Sequence, residues 1–251
     1  MSLNDGFMNE QKLILGINGK TYNDLNPNLK HLIDYALPTL DRDAKLCCFQ
    51  AEEYTKPDIC ISQNGVTRYI SVKHGTAEGV HEEQLDRFIQ FLKECNIDDY
   101  TIESYLLYHF GDNTTDGTGT KRLDYFNVIA TFKDRVDQVN QKFNENREFV
   151  KKFADRVLFQ GVNDLATPAD MIYHGDEDFG SFVSKKQIMR HLELRKWSFM
   201  TSIVHIGPFV LRPKARYPNK EIKNDSFRYR VVVSYPKLVN DIMYIFNRYP
   251  F

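Results

Sequence analysis

The pattern that decides the fold of this chain is Lys56-Pro57-Asp58-Ile59-Cys60-Ile61-Ser62-Gln63-Asn64-Gly65-Val66-Thr67-Arg68-Tyr69-Ile70-Ser71-Val72-Lys73. Two strand-like runs flank the dipeptide Asn64-Gly65, which is the strongest short-range signal for a two-residue type I′ hairpin. Such a turn fixes the register, so that Ser62 faces Thr67 and Asp58 faces Ser71. The pattern therefore predicts a hairpin of defined pairing.

The two faces of this hairpin differ in chemistry, because side chains alternate between faces along a strand. One face carries a carboxylate, a hydroxyl and an ammonium, from Asp58, Ser71 and Lys73. Directly opposed Cβ atoms lie about 4.5–5.5 Å apart, and diagonal ones about 7–8 Å apart. The other face is aliphatic and predicts contact with a core; its members are Ile59, Ile61, Ile70 and Val72.

The polar face suits metal-assisted hydrolysis of a phosphodiester. Mg²⁺ prefers oxygen ligands and is usually held by one or two carboxylates together with waters and phosphate. A bound metal acidifies a water and neutralises developing charge. A neighbouring lysine orients or deprotonates that water, or offsets the negative charge. We therefore predict Asp58 as a metal ligand and Lys73 as the residue that positions the attacking water.

The motif Pro57-Asp58 followed by Ser71-Val72-Lys73 resembles that of the PD-(D/E)XK nuclease superfamily, the restriction-endonuclease-like fold. The resemblance covers residues from about 7 to 110. It implies DNA cleavage with Mg²⁺, for which Mn²⁺ would substitute. The chain departs from the family at Ser71, which stands where the family has an acid and is a poor Mg²⁺ ligand.

Other carboxylates are candidates to replace the acid missing at Ser71. Some superfamily members carry such a serine and take the carboxylate from the following helix. Here the helical pattern after the hairpin places Glu82 towards the sheet and Glu83 outwards, but helix starts are irregular, so both are retained. The resemblance also implies a glutamate in the first helix near the metal, and Glu10 occupies that position.

Each of these residues also has a purely structural interpretation. Pro-Asp is common at strand starts, because Asp caps local backbone. Lys73 could be an edge-strand lysine that discourages aggregation. Glu82 and Glu83 would favour the macrodipole in the first turn of a helix. The order and register of the set favour the nuclease interpretation.

Composition places the chain among ordinary globular proteins. It has 251 residues, of which 42% are hydrophobic. No apolar run approaches the roughly 18 residues of a membrane span, and no signal peptide is apparent. The four cysteines form no Cys-x-x-Cys pair, so we expect reduced thiols in a cytoplasmic protein.

The net charge of −1 conceals an asymmetry along the chain. From Lys185 to Phe251 there are fourteen Lys and Arg against four Asp and Glu. Such a split suggests a polyanionic partner for this part of the chain, with a solvated scaffold face as the alternative. The predicted DNA contacts are Lys185, Lys186, Arg190, Arg212, Lys214, Arg216, Arg228 and Arg230.

The order of predicted elements indicates an α/β (α+β) fold, in which helices flank a central mixed sheet. We expect a restriction-endonuclease-like core in residues 1–125, then a helical linker and a basic C-terminal α+β region in residues 126–251. Predicted helices cover residues 7–16, 26–36, 81–95, 125–158 and 184–192. Predicted strands beside the hairpin cover residues 45–50, 101–109, 202–207 and 227–233, and residues 111–119 form a loop.

These patterns predict that the protein is a metal-dependent DNA endonuclease, such as a type II restriction enzyme or a relative. Cleavage of both DNA strands needs two sites, so a homodimer is expected. A DNA-binding protein on the same fold that has lost catalysis is the alternative, with Ser71 as the trace of that loss. A structural protein that binds no nucleic acid is a third interpretation.

Overall fold

A computed structural model describes residues 3–53, 55–76, 78–163, 165–195, 203–214 and 226–248. None of the helices in these ranges is long and apolar enough to cross a membrane. The chain forms two compact units, each assembled from separated segments. The first takes its described residues from Met1–Glu78, Asp155–Leu194 and Lys237–Phe251, and the second from Gly79–Ala154 and Arg195–Pro236.

The described residues contain both helices and strands, in an order that groups several strands and then several helices. In chain order they are α1 (Leu3–Ile17), α2 (Pro27–Ala36), β1 (Cys47–Gln50), β2 (Ile59–Gln63), β3 (Val66–Lys73), β4 (Gly79–Gln84), α3 (Leu85–Glu94), α4 (Asp99–Phe110), α5 (Tyr125–Thr131), α6 (Lys133–Glu145), α7 (Arg147–Asp155), β5 (Met171–Gly175), β6 (Gly180–Ser184), α8 (Lys185–Leu194), β7 (His205–Ile206), β8 (Phe209–Pro213), β9 (Arg230–Ser234) and α9 (Leu238–Arg248). The predicted fold class is confirmed.

The hairpin of β2 and β3 has the predicted turn and register. Asn64 and Gly65 both have positive φ, 51° and 80°, as a type I′ turn requires. Ser62 pairs with Thr67, and the backbone N–H of Asp58 donates to the carbonyl of Ile70 at 2.8 Å. The local turn signal was therefore sufficient to align the two strands.

The first unit is built on a mixed five-stranded sheet in the order β1-β2-β3-β5-β6. Only β3 and β5 are parallel, and the other neighbours are antiparallel. The aliphatic face of the hairpin is buried with residues of α1 and α2, as predicted from its alternation. This core includes Leu13, Ile17, Leu29, Leu32, Ile33, Ile59, Ile61, Ile70 and Val72.

The second unit contains a four-stranded sheet in the order β4-β9-β8-β7. Its core is rich in aromatic side chains from α3, α4, α6, α7 and β8, most of which meet edge-on or tilted. Phe153, for example, contacts Phe88 and Phe209 with ring centroids 6.0 and 5.5 Å apart. Aromatic pairs prefer such geometry over face-to-face stacking.

Several element assignments from the sequence are wrong. Residues 101–109 are helical within α4, although their β-branched and aromatic residues favour a strand. The side chain of Asp98 accepts the N–H of Thr101 at 2.9 Å, and Gly111 ends the helix at φ 63°, so caps at both ends fix a helix. Residues 81–84 belong to β4, and the helix starts only at Leu85.

The expected long helix at 125–158 is divided into α5, α6 and α7. Asn146 separates the last two, because its side chain accepts the backbone N–H groups of Glu148 and Phe149 and starts a new helix. The strand expected at 227–233 begins only at Arg230, after a 3₁₀ turn at Ser226–Tyr229. Both compact units draw on residues before and after 125, and a functional division there stays a prediction.

A candidate active site on the first sheet

Asp58 lies directly before β2, and three donors converge on one oxygen of its carboxylate. The backbone N–H of Val72 donates to Oδ2 at 2.6 Å, and the hydroxyl of Ser71 donates to it at 3.2 Å. The ammonium of Lys73 lies 3.6 Å from the same atom. Within the part of the chain that the structure describes, no hydrogen bond reaches the other oxygen, Oδ1. That oxygen can still bind a cation.

The local sequence explains why the carboxylate lies there. Pro57 has no N–H to donate and precedes the strand, so the ladder of β2 with β3 begins at Asp58. The backbone N–H of Val72 donates to the Asp58 carboxylate instead of to a backbone carbonyl of β2. The carboxylate therefore caps the backbone of β3 while it presents its free edge beside Lys73.

Ser71 and Lys73 occupy the same face as Asp58, as the alternation predicted. Ser71 is fully buried, and the Lys73 side chain is 17% exposed. The Lys73 ammonium also donates to the carbonyl of Val72 at 3.0 Å. These contacts hold the ammonium on the carboxylate side of the sheet and away from the aliphatic core.

Glu10 of α1 is coupled electrostatically to this cluster. Gln50 at the end of β1 donates to its Oε2 at 3.0 Å. Burial raises the pKa of the Glu10 carboxyl, and the negative charge of Asp58 raises it further. The hydrogen bond from Gln50 and the charge of Lys73 oppose that rise. Two carboxylates that disfavour each other's charge are the kind of pair that a divalent cation relieves.

The oxygen donors present fit a lightly coordinated Mg²⁺. Mg²⁺ commonly uses one or two protein carboxylates and completes its shell with waters and phosphate oxygens. Asp58 and Glu10 supply two carboxylates, and Ser71 supplies a hydroxyl that is already engaged with Asp58. Among the described residues, no group of three or more His, Cys, Asp or Glu side chains gathers into a metal-binding set.

Two further residues beside this cluster were not singled out from the sequence. Lys56 precedes the Pro-Asp pair, and burial together with the positive charge of Lys73 lowers its pKa to about 7, although the negative charge of Asp58 opposes the shift. His174 pairs with Lys73 in the register of β3 and β5, and its Nε2 donates to the carbonyl of Gly75 at 2.8 Å. Lys56 directly precedes the motif in the sequence, whereas the position of His174 beside Lys73 depends on pairing between distant strands.

Glu82 and Glu83 lie on β4 in the second unit rather than on a helix. The Glu82 Oε1 accepts hydrogen bonds from Lys214 and Arg230, each at 2.6 Å. Glu83 points into the unit, where its carboxylate is fully buried and lies 3.4 Å from Nε2 of His81. The suggestion that either glutamate replaces the acid missing at Ser71 stays a prediction.

The predicted DNA contacts are distributed over both units. Lys185, Lys186 and Arg190 lie on α8 of the first unit, where Lys185 pairs with Asp155 at 2.5 Å. The second unit contains Arg212, Lys214, Arg228 and Arg230. Arg216 lies outside the described residues.

Arg228 does not belong to a strand, although the sequence predicts one at residues 227–233. This residue lies in the 3₁₀ turn, and its guanidinium forms a buried ion pair with Asp112. The alternation of a strand therefore does not extend to it. Arg230 is the first residue of β9 and remains partly exposed.

Comparison with known proteins finds a distant structural likeness. No protein-family model matches this chain, and no curated protein matches it. The crystal structure of the restriction endonuclease MspI in complex with its cognate DNA is similar at 12% identity. The match covers 91% of this chain and 88% of that chain, with a TM-score of 0.46. The function proposed for this chain therefore rests on the side chains described above.

Proposed function

We propose that this chain is a metal-dependent endonuclease that hydrolyses DNA phosphodiester bonds, as a type II restriction enzyme or a relative does. The observation that carries the proposal is the convergence of Ser71 and Lys73 on one oxygen of Asp58. Glu10 adds a second carboxylate whose ionisation responds to Asp58. The PD-(D/E)XK motif and its register support the same chemistry.

Asp58 and Glu10 would hold Mg²⁺, and Mn²⁺ would substitute for it. When bound, the metal would acidify a water and neutralise charge on the phosphate. The Lys73 side chain places its ammonium 3.6 Å from Asp58 in a largely buried setting, where an ammonium acts more strongly than in water. We assign Lys73 the orientation of the attacking water and the stabilisation of the developing negative charge.

A DNA-binding protein without catalysis is the second candidate, and one observation favours it. The Ser71 hydroxyl is buried against Asp58, where the family motif has its second acid. Asp58 is also a sufficient backbone cap for Val72 without any metal. If the capping role is the whole role, Asp58 will be needed for stability and not for cleavage.

Cleavage of duplex DNA with Mg²⁺ tests the proposal directly. We expect wild-type protein to cut a mixture of long DNA duplexes, and Asp58→Ala and Lys73→Ala to lose this activity. Asp43→Asn and Lys45→Met are matched controls, because both side chains are exposed and lie in the same unit. Cleavage retained by both purified site variants would refute the proposal.

A metal titration separates the two candidates. Heat released when Mn²⁺ is added, and abolished in Asp58→Ala, supports the nuclease. Salt-sensitive DNA binding with no metal uptake supports the protein that has lost catalysis. DNA affinity that is absent even at low salt contradicts both.

The proposal extends to partners and assembly. We propose that Lys186 and Arg190 of α8 bind DNA phosphates, since both are exposed cations. Double-strand cleavage by one site per chain calls for a homodimer, which sedimentation equilibrium would detect. A cytoplasmic location stays a prediction.

A further inference from the structure

One face of the second sheet carries three cations and one carboxylate in two rows. The first row runs across β8, β9 and β4 through Arg212, Val232 and Glu82, which are paired in register. In the second row Arg230 pairs with Gln84, and the backbone N–H of Lys214 donates to the carbonyl of Arg230 at 3.0 Å. We call Arg212, Lys214, Arg230 and Glu82 the cation face.

The opposite side of the same strands is buried, so the cation face points towards solvent. Leu211, Val231 and Val233 are fully buried, and Glu83 also points inwards. Side chains alternate along each strand, so Arg212 and Lys214 of β8 share the outer side with Arg230 and Glu82. The alternation that builds the core therefore also gathers the charges.

Glu82 occupies the centre of the cation face. Its single oxygen Oε1 receives Lys214 Nζ and Arg230 Nη1, both at 2.6 Å. The Lys214 ammonium also lies 4.6 Å from the ring centroid of Phe227, which limits its freedom to turn away. Side-chain exposure is 31% for Lys214, 36% for Arg230 and 33% for Glu82, so an anion from solvent can reach all three.

The charges on this face do not balance. Two cations share one carboxylate oxygen, and in the described part of the chain Arg212 forms no ion pair with any acid. Burial disfavours the charged carboxylate, but hydrogen bonds from Lys214 and Arg230 outweigh it and lower the pKa of Glu82. The face therefore keeps an excess of positive charge even while Glu82 is ionised.

We propose that the cation face is a binding site for backbone phosphates of DNA. In the absence of DNA, the Glu82 carboxylate occupies the position that one phosphate would take. A phosphate oxygen would replace Oε1 between Lys214 and Arg230, and Arg212 would add a third cation. Lysine and arginine bind phosphate as they bind carboxylate, with arginine able to use two parallel hydrogen bonds. The choice of DNA as the polyanion rests on the proposed function.

The Glu82 carboxylate then weakens DNA binding, although it also holds Lys214 and Arg230 in position. A phosphate that enters must displace a carboxylate already bound to two cations, which lowers affinity. The same carboxylate keeps the two side chains together when no DNA is present. This gives Glu82 a role in tuning DNA affinity that is separate from any metal.

Equilibrium binding without metal tests the inference. Fluorescence anisotropy would follow a labelled DNA duplex in EDTA, where no cleavage occurs, over a series of NaCl concentrations. We expect Glu82→Gln to bind about fivefold more tightly than wild type at moderate salt. We also expect its log–log salt slope to be steeper by roughly 0.9, the value for one additional phosphate contact on B-DNA.

Removing either cation should have the opposite effect. Lys214→Met and Arg230→Met should each bind more weakly, with a salt slope shallower by about one charge. Glu103→Gln and Lys152→Met are the matched controls, since both residues are exposed on helices of the second unit. These two should follow wild type, apart from the small general effect of one charge.

The outcomes separate this inference from the nuclease proposal. Glu82→Gln, or Glu82→Ala if the glutamine variant does not fold, overturns the inference if it binds no more tightly than Glu103→Gln. Absence of DNA binding at low salt also overturns it. If Glu82→Gln binds more tightly but wild type cuts no DNA, the phosphate site stands and the nuclease proposal fails.

Discussion

Asp58 and Glu82 are both partly buried carboxylates on sheets, yet their surroundings differ in charge. Asp58 meets one ammonium at 3.6 Å, and the second carboxylate of Glu10 is near enough to affect ionisation. Glu82 is hydrogen-bonded by two cations at 2.6 Å. The first site therefore still has a carboxylate oxygen, Oδ1 of Asp58, that accepts no hydrogen bond from the described residues, whereas the second has unused positive charge.

This difference shows how little the residue type alone says about a site. A carboxylate beside a lysine is common to both places. A cation such as Mg²⁺ would gain from the acidic pair at Asp58 and would be repelled by the cations around Glu82. A phosphate would gain at Glu82 and be repelled at the acidic pair, unless a metal lies between.

The largest expected difference between the two sites is in catalysis, which should depend on the Asp58 site. Lys73→Met should lower the cleavage rate at saturating DNA by about 10²–10³-fold, the range for removal of one group that stabilises developing negative charge. Lys214→Met should instead raise the dissociation constant for DNA. Single-turnover cleavage over a series of enzyme concentrations separates rate from affinity, and equal losses of rate in both variants would contradict the division.

Mn²⁺ binding should also depend on the Asp58 site and not on Glu82, and we expect smaller changes in affinity than in cleavage rate. Asp58→Asn should abolish Mn²⁺ binding, and Glu10→Gln should weaken it by about tenfold or more, since even outer contacts to a metal contribute that much. Glu82→Gln should not weaken uptake, because cations surround that carboxylate. Isothermal titration calorimetry would measure all three. Loss of Mn²⁺ uptake in Glu82→Gln would restore Glu82 as the acid that replaces Ser71.

The Asp58 site was predictable because its determinants are local. Asn64 and Gly65 set the turn, and the turn set the register that gathers Asp58 with Lys73. Glu10 was placed by resemblance to a family; the charge of Asp58 helps to raise the pKa of its carboxyl, and its role at a metal stays a prediction. What the sequence did not reveal there is the burial of Lys56, which depends on packing from the rest of the unit.

The cation face could not be derived in the same way. Glu82 is 132 residues from Lys214 and 148 from Arg230, so their meeting depends on the pairing of β4 with β9. The helical pattern that starts at Leu85 was correct, and extending it backwards by one turn placed Glu82 on the wrong kind of element. Pairing between distant strands overrides such local phase.

Stability of the hairpin tests whether the turn positions the first site. Gly65 has φ 80° and no atom within 4 Å of an added Cβ, so Gly65→Ala introduces strain without a clash. We expect a loss of about 1 kcal/mol in the free energy of unfolding. Gly6→Ala in α1 is the matched control and should stabilise by about 0.4–1 kcal/mol. Urea denaturation would measure both, and equal signs would contradict the turn assignment.

The smallest expected effect concerns the pH dependence of the Glu82 cluster. Lys214 and Arg230 lower the pKa of Glu82 below its ordinary value of 4.5, despite the opposing effect of burial. A lowered pKa in the folded state means that the carboxylate stabilises the protein above pH 4.5 and that this contribution disappears as pH falls through the folded value. Because the groups are about one-third exposed, we expect less than about 1 kcal/mol. Urea denaturation of wild type and Glu82→Gln should differ at pH 7 and converge at acidic pH. A difference that stays constant with pH would mean that the two cations do not act through the charge of Glu82.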